Sequence, residues 1–278
     1  MNPQPLRPAA SVTTPPIPEA SARHLAQRLL CIDKPVDKAA AVRQLDLTTL
    51  VVRPLDEIAA VAGMPGVPQR PPLVPPQQLK PRSPGTREGR AALIHALAHI
   101  EANAINLALD VTWRFAGMPE RFYRDWLQVA CEEALHFELL REHLLTLGFD
   151  YGDFPAHNGL WEMAQKTETS LLARLALVPR TLEARGLDAS VPIRNRLVSV
   201  GDHRGAAILD IILRDEIGHV AIGNHWYRHL CSAQALDPIR TFAELAARHG
   251  AQKLKGPFNL DARRAAGFDE AELALLGV

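Results

Sequence analysis

Cysteine is scarce in this chain. Three occur in 278 residues, Cys31, Cys131 and Cys231, and no two form a Cys-x-x-Cys pair. That spacing supplies no disulfide framework and no in-chain rubredoxin-type iron centre, and it points to reduced thiols in a cytoplasmic setting. Aromatic residues make up only 5% of the sequence, and charge excess is missing, with 31 Lys and Arg against 31 Asp and Glu. Nothing in the whole-chain field therefore favours nucleic acid or an acidic membrane, which leaves room only for a local basic patch. The N-terminus lacks a basic stretch followed by an apolar run, and apolar runs elsewhere fall short of a bilayer. The expectation is neither a signal peptide nor a membrane partner.

What the chain does have is acid beside histidine. Cys131-Glu132-Glu133-Ala134-Leu135-His136 and Arg214-Asp215-Glu216-Ile217-Gly218-His219 both contain Glu-x-x-His with an acid directly before the Glu. Residues three apart share a helix face, so Glu133/His136 and Glu216/His219 can each grip a metal from one side. One such motif is weak, since exposed Glu/His pairs are common. Here each has a lone Glu upstream at a matching distance: Glu101 precedes Glu133 by 32 positions and Glu183 precedes Glu216 by 33. Midway stand Gly117-Met118-Pro119 and Gly201-Asp202, which are helix stops followed by helix starts. The pattern predicts two helical hairpins that each offer Glu plus Glu-x-x-His at mid-height. That is the ligand set of a carboxylate-bridged di-iron or di-manganese bundle.

The helical faces support this. At about 100° per residue, Glu101 falls among Ile94, Leu97, Ala98, Ala104, Ile105 and Ala108, opposite His99, Asn103, Asn106 and Asp110. Glu133 falls among Trp126, Val129, Ala130, Phe137, Leu140 and Leu144, and Glu216 among Leu209, Ile212, Leu213, Val220 and Gly223. The Glu183 face is less clean, with Leu172, Ala176 and Pro179 but also Gln165; Glu168, on a similar face, is the competing register. Isolated carboxylates in apolar surroundings are costly, and two divalent cations would match four of them charge for charge. Solvated surface acids with unrelated histidines explain one motif but not all six residues. Glu132 and Asp215 lie about 100° round their helices, placed to accept the outer N–H of a ligand histidine on a neighbouring helix; an exposed surface acid is the alternative.

The expected organisation is all-α. Residues 1–20 read as a disordered or extended N-terminus. Residues 21–85 carry short helices (Ala22–Leu30, Val36–Leu45, Leu55–Val61) and a proline-rich strap packed on the bundle, since prolines at 65, 68, 71, 72, 75, 76, 81 and 84 forbid helix. Residues 86–231 form a ferritin-like four-helix bundle: Thr86 to Ala116, Pro119 to Leu147, Leu160 to Arg185, and Asp202 to Cys231. A crossover, Phe149 to Gly159, joins the second and third helices, and an interruption at Gly186–Pro192 with a short helix to Val200 follows the third. Pro179 is expected to kink the third helix one turn before Glu183. Residues 232–278 add C-terminal helices, Pro238 to Arg248 and Asp269 to Leu276, folded over one bundle end. Gly205 and Gly223, on the inward face of the fourth helix, are expected to leave space beside the metals. His95 and His99 read as a solvated or interfacial pair, His157 as a loop residue, His225 and His229 as outward, and Tyr227 as core or lid.

Glu101, Glu133-x-x-His136, Glu183 and Glu216-x-x-His219 resemble the ligand pattern of the ferritin-like di-iron superfamily. The fuller phrases His99-Ile100-Glu101, Val178-Pro179-Arg180-Thr181-Leu182-Glu183-Ala184-Arg185-Gly186-Leu187-Asp188 and Arg214-Asp215-Glu216-Ile217-Gly218-His219-Val220 are more particular. They resemble a largely bacterial family of uncharacterised ferritin-like proteins, distantly similar to tRNA-modifying di-iron hydroxylases, from about residue 66 to the C-terminus. The resemblance implies the bundle fold and two transition metals, iron first and manganese second, but no substrate. The expected function is a metal-dependent oxidoreductase using O2 or peroxide on an organic substrate, either a small molecule or a modified nucleotide. It would draw electrons from an external donor and could form a homodimer. Its rivals are a ferroxidase and a bundle whose metals are purely structural. The long segments before and after the bundle favour the enzyme, because a storage subunit is usually compact.

Overall fold

A computed structural model of the chain describes residues 21–80 and 82–277; the extended N-terminus expected for residues 1–20 lies outside the described residues. The described regular structure is helical, with one isolated bridge between Leu73 and Ala156. Helix α1 spans Ala22–Leu30 and α2 Pro35–Arg43. Helix α3, Arg87–Arg114, starts at Thr86, whose hydroxyl accepts the Gly89 N–H. The chain reverses at Gly117, where φ is +80°, and returns as α4, Glu120–Thr146, closed by Gly148 at φ +78°. Both glycines occupy the left-handed region that side chains resist. A second reversal at Gly201 leads into α8, His203–Ala233, where Asp202 accepts the Gly205 N–H as cap.

Between the reversals, the third column is built differently from the single helix over Leu160–Arg185 that the sequence predicts. It runs as α5 (Gly159–Lys166), a break at Thr167–Ser170, α6 (Leu171–Leu177), a π-helical turn (Val178–Glu183) and α7 (Ala184–Ser199). Two local groups explain the break. Ser170 caps α6, and the buried Arg174 guanidinium donates to Thr167 Oγ1 at 2.9 Å and Ala164 O at 2.6 Å, tying α6 back to the end of α5. The same guanidinium pairs with buried Asp110 of α3, which also holds Arg114. The interruption expected at Gly186–Pro192 is not there. Pro192 sits on the exposed face of α7, where the carbonyl it leaves unpaired meets water.

Columns α3, α4, α8 and the α6–α7 run pack together as a bundle around one main core, with a smaller apolar cluster where Ala262 and Ala266 meet α7 and α8. Helix α3 is long and apolar enough to cross a membrane on length and composition, yet 67% of its most apolar window is buried inside the protein. Helix α1 covers α3 and α2 covers α4. The helix expected at Leu55–Val61 is instead extended chain. Its carbonyls turn outward as acceptors for α1: Arg23 donates to Pro54 O and Asp56 O, and Gln27 to Ala59 O at 2.6 Å. The proline-rich run is tied at both ends, Gly66 N to Leu30 O (2.9 Å) and Val74 N to Ala156 O (2.8 Å). The crossover loop covers His95 and His99, which are buried rather than solvated. His95 stacks on Tyr151, and His99 bonds the Tyr151 hydroxyl at 2.9 Å and His157 O at 3.0 Å. Helices α9 (Pro238–Arg248), α10 (Leu260–Ala265) and α11 (Glu270–Ala274) lie over α6–α8.

Candidate metal centre

Three columns deliver five of the six candidate ligands to one buried cluster. Helix α3 supplies Glu101; α4 supplies Glu133 and His136 one turn apart; α8 supplies Glu216 and His219 with the same spacing. Glu133, His136 and His219 are fully buried, while Glu101 and Glu216 are 3% and 6% exposed. The His136 Nδ1 atom lies 3.3 Å from Glu133 Oε2 and 3.6 Å from Glu101 Oε2. His219 Nδ1 lies 3.0 Å from Glu133 Oε1 and 3.9 Å from Glu216 Oε2, and the two rings are 5.9 Å apart. Ligand atoms therefore gather in two triads, Glu101/Glu133/His136 and Glu133/Glu216/His219, with Glu133 common to both.

Glu183 is the last residue of the π turn. The residue is half-buried, but carboxylate Oε2 is buried without a partner, and the nearby charges of Glu133 and His219 act on it. It belongs to neither tight triad. Glu168, the competing register, projects into solvent beside Arg114 at 3.9 Å. The π turn explains why Glu183 reaches the cluster. One widened turn at Pro179 shifts the following residues round the helix axis, which corrects a face that straight-helix spacing leaves untidy.

Behind each imidazole stands a carboxylate from the opposite helix. His136 Nε2 (α4) meets Asp215 Oδ2 (α8) at 3.1 Å, and His219 Nε2 (α8) meets Glu132 Oε2 (α4) at 2.7 Å. These bonds fix Nε2 as the outer, protonated nitrogen and leave Nδ1 facing the carboxylates, the orientation a metal ligand needs. Two residues outside the sequence argument hold the acids. Gln128 donates to Glu132 Oε1 at 2.7 Å, and Arg214 brackets Asp215 at 2.7 and 3.0 Å. Both sit where a local signal exists, one turn before Glu132 and directly before Asp215.

Burial raises the proton affinity of Glu101 to about 8, with the Glu133 charge adding to it and His136 opposing. Glu183 is raised to about 8 for the same first cause, again with Glu133 adding. Glu216 is also pushed well up by burial and its acidic neighbours. Glu133 is the exception: burial opposes its ionisation, but the His219 charge and the bond from His136 outweigh it, so it stays ionised. Burial likewise disfavours charge on both imidazoles, yet His136 rises to about 11 beside the Glu101 and Glu133 carboxylates, and His219 also rises on the Glu133 charge. Without a metal, then, the cluster gathers protons to offset its own negative charge. Bonding is still incomplete. Glu101 Oε2, Glu133 Oε1, Glu183 Oε2, Glu216 Oε2 and His219 Nδ1 are all buried with no hydrogen-bond partner. Four of these atoms belong to the two triads and the fifth lies on Glu183 beside them, an arrangement that fits metal ligation, because buried polar atoms in a native fold otherwise find partners.

The inward glycines do not open a cavity beside this cluster. A Cβ on Gly223 would lie 2.5 Å from Pro179 Cβ, so Gly223 lets α8 press against the π turn. A Cβ on Gly205 would meet the capping Asp202 at 3.1 Å. The glycine that does face the cluster is Gly186, 3.8 Å in the same sense from the Glu216 carboxyl carbon. Tyr227 is core, its hydroxyl donating to Pro238 O at 2.7 Å, while His225 and His229 are exposed and flank Trp226.

Comparison with known proteins adds kinship without a chemistry. A Haemophilus influenzae protein, described only as an uncharacterized protein, is 51% identical over 227 residues, covering 79% of this chain and 77% of that protein. No solved structure matches. Residues 31–274 match the family described as "Protein of unknown function (DUF455)", a span that includes every cluster residue, and the chain belongs to that family.

Proposed function

We propose that this chain is a metal-dependent oxidoreductase of the ferritin-like kind, holding two transition-metal ions, iron first and manganese second. Glu101, Glu133, His136, Glu183, Glu216 and His219 would be the ligands, since oxygen and imidazole nitrogen suit either ion. The observation that carries this reading is that four buried, unsatisfied ligand atoms belong to two triads that share Glu133. When bound, the metals would supply redox chemistry toward O2 or peroxide, with electrons from an external donor and an organic substrate as the target. The chain's part is to hold and to exclude. Glu133, kept ionised, is placed to serve both ions. Asp215 and Glu132 hold the Nε2 protons of His136 and His219. Ala98, Ile105, Phe137, Leu140 and Val220, each at most 1% exposed, keep bulk water out.

Metal analysis of protein isolated anaerobically from its own cell tests the ligand set. The expected content approaches two metals per chain. Glu101→Ala and Glu183→Ala should each lose at least one while keeping helix content, and Glu138→Ala, whose carboxylate pairs with Arg43 at 3.6 Å, should lose none. Less than one metal per chain in metal-replete protein counts against the site. Ferrous titration in air then tests the function: an oxidoreductase takes up oxygen in proportion to its metals and stalls until reductant is added. Continued oxidation and mineral accumulation would make it a storage protein.

A further inference from the structure

A second site lies on the far side of the π turn. A cavity of about 290 Å3 opens between that turn and α9–α11, walled by Ile239, Phe242, Ala246 and Leu276. Into this apolar wall projects Arg180, three residues before Glu183 and 4% exposed. Its Nη2 donates to Glu272 Oε1 at 2.7 Å, but Nε and Nη1 are buried without an acceptor. The guanidinium lies over Tyr227 at 4.3 Å, Phe268 at 5.2 Å and Phe242 at 5.8 Å, which holds it in place and removes it from water.

Glu272 is shared: Oε1 takes Arg180, while Oε2 takes Arg228 and the Asp269 N–H. Arg228 has a second carboxylate in Asp269 at 3.9 Å, whereas Arg180 has Glu272 alone. Arg263, on the neighbouring wall, is already matched by Asp188 at 2.6 and 3.0 Å. Lys253 at the rim is exposed and solvated. What the pocket lacks is an acceptor: Arg180 Nε and Nη1 are buried and unpartnered beside an apolar wall. A buried guanidinium in that state is costly, and a monoanion relieves it. We propose that this cavity binds an amphipathic carboxylate, its head group on Arg180 and its hydrocarbon part along Ile239, Phe242, Ala246 and Leu276. A neutral chain would leave the Arg180 donors unmet. The proposal stands whether or not the neighbouring cluster holds metal.

Calorimetric titration of the full chain, carrying whatever metal it is purified with, tests this using octanoate, 1-octanol and octyl phosphate. Octanoate should bind one per chain, at least about tenfold tighter than octanol, the discrimination expected of a charged hydrogen bond. Arg180→Gln should bring octanoate down to the octanol level and leave octanol unchanged. Ala246→Trp, which fills the cavity without touching the guanidinium, should abolish both. Should Arg180→Gln fail to fold, the octanoate-to-octanol ratio and the Ala246→Trp variant still decide. Equal binding of octanol and octanoate, preference for octyl phosphate, octanoate binding that survives Ala246→Trp, or no octanoate binding up to its solubility limit would each overturn the proposal.

Discussion

The two imidazoles that face the cluster are each held from behind by a carboxylate of the opposite helix, and that exchange makes a sharp prediction. Replacing Asp215 by Asn or Glu132 by Gln keeps the shape but weakens the acceptor for the outer N–H of His136 or His219. Metal affinity, read by competition with a chelator, should fall about 10- to 100-fold per substitution with unchanged helix content. Unchanged affinity would make these acids mere helix-surface charges. His95 gives a second test. Burial, assisted by the neighbouring His99 charge, lowers its pKa from 6.5 to about 4, and Nε2 accepts the Gly152 N–H at 2.9 Å. The unfolded chain therefore binds a proton that the fold refuses. Stability from this residue is complete above about pH 6.5 and is lost as pH drops toward 4, by up to about 3 kcal/mol. His95→Gln keeps an acceptor and should flatten that part of the denaturation-versus-pH curve; an unaltered slope would place the proton uptake elsewhere. At this scale the sequence was informative: Glu-x-x-His spacing marks the buried cluster, and the helical wheel turns Glu132 and Asp215 toward a histidine of a neighbouring helix. The pairing distances depend on how α4 and α8 are set against each other.

The two hairpin reversals were legible because their causes are local: a glycine at positive φ, then a cap or a proline. The third column was not, because its break is closed by Arg174 reaching back to Thr167 and Ala164, and its aim comes from a π turn that no straight-helix wheel contains. Gly223 reports on that turn. Its missing Cβ would meet Pro179 Cβ at 2.5 Å and Cγ at 2.8 Å, and a proline ring fused to the backbone cannot swing aside. Gly223→Ala gains about 1 kcal/mol in helix propensity but incurs overpacking of about 1–3 kcal/mol, so the expected net is destabilisation. Because the strain falls four residues before Glu183, metal content should drop as well. Gly218 in the same helix is exposed with open space around its Cβ direction, so Gly218→Ala should stabilise by about 1 kcal/mol and leave metal untouched. A Gly223→Ala protein as stable as wild type with full metal would mean the α8–π-turn contact is slack.

At the scale of the molecule, the bundle could be read from sequence because its periodicity repeats over long helices, whereas the placement of the flanking segments rests on contacts far apart in the chain. The first 80 residues illustrate this. Ala22, Ala26, Leu30, Ala39 and Val42 are fully buried, so α1 and α2 are part of the core and not an ornament on it. Polar ties run the same way: Arg23 donates to Trp113 O at 2.7 Å, Lys38 to Asn106 Oδ1, and Arg124 to Leu47 O at 2.7 Å and Leu50 O at 3.0 Å. Removing this segment would strip the outer faces of α3 and α4, the helices that carry Glu101, Glu133 and His136. The full chain should therefore melt in one calorimetric transition whose calorimetric and van't Hoff enthalpies agree. A chain begun at residue 82 should expose apolar surface, aggregate or lose near-ultraviolet circular dichroism, and lose its metal with it. A soluble 82–278 fragment with native helix content and full metal would instead make residues 21–80 a separable attachment, and the bundle with its proposed metal site a self-sufficient unit.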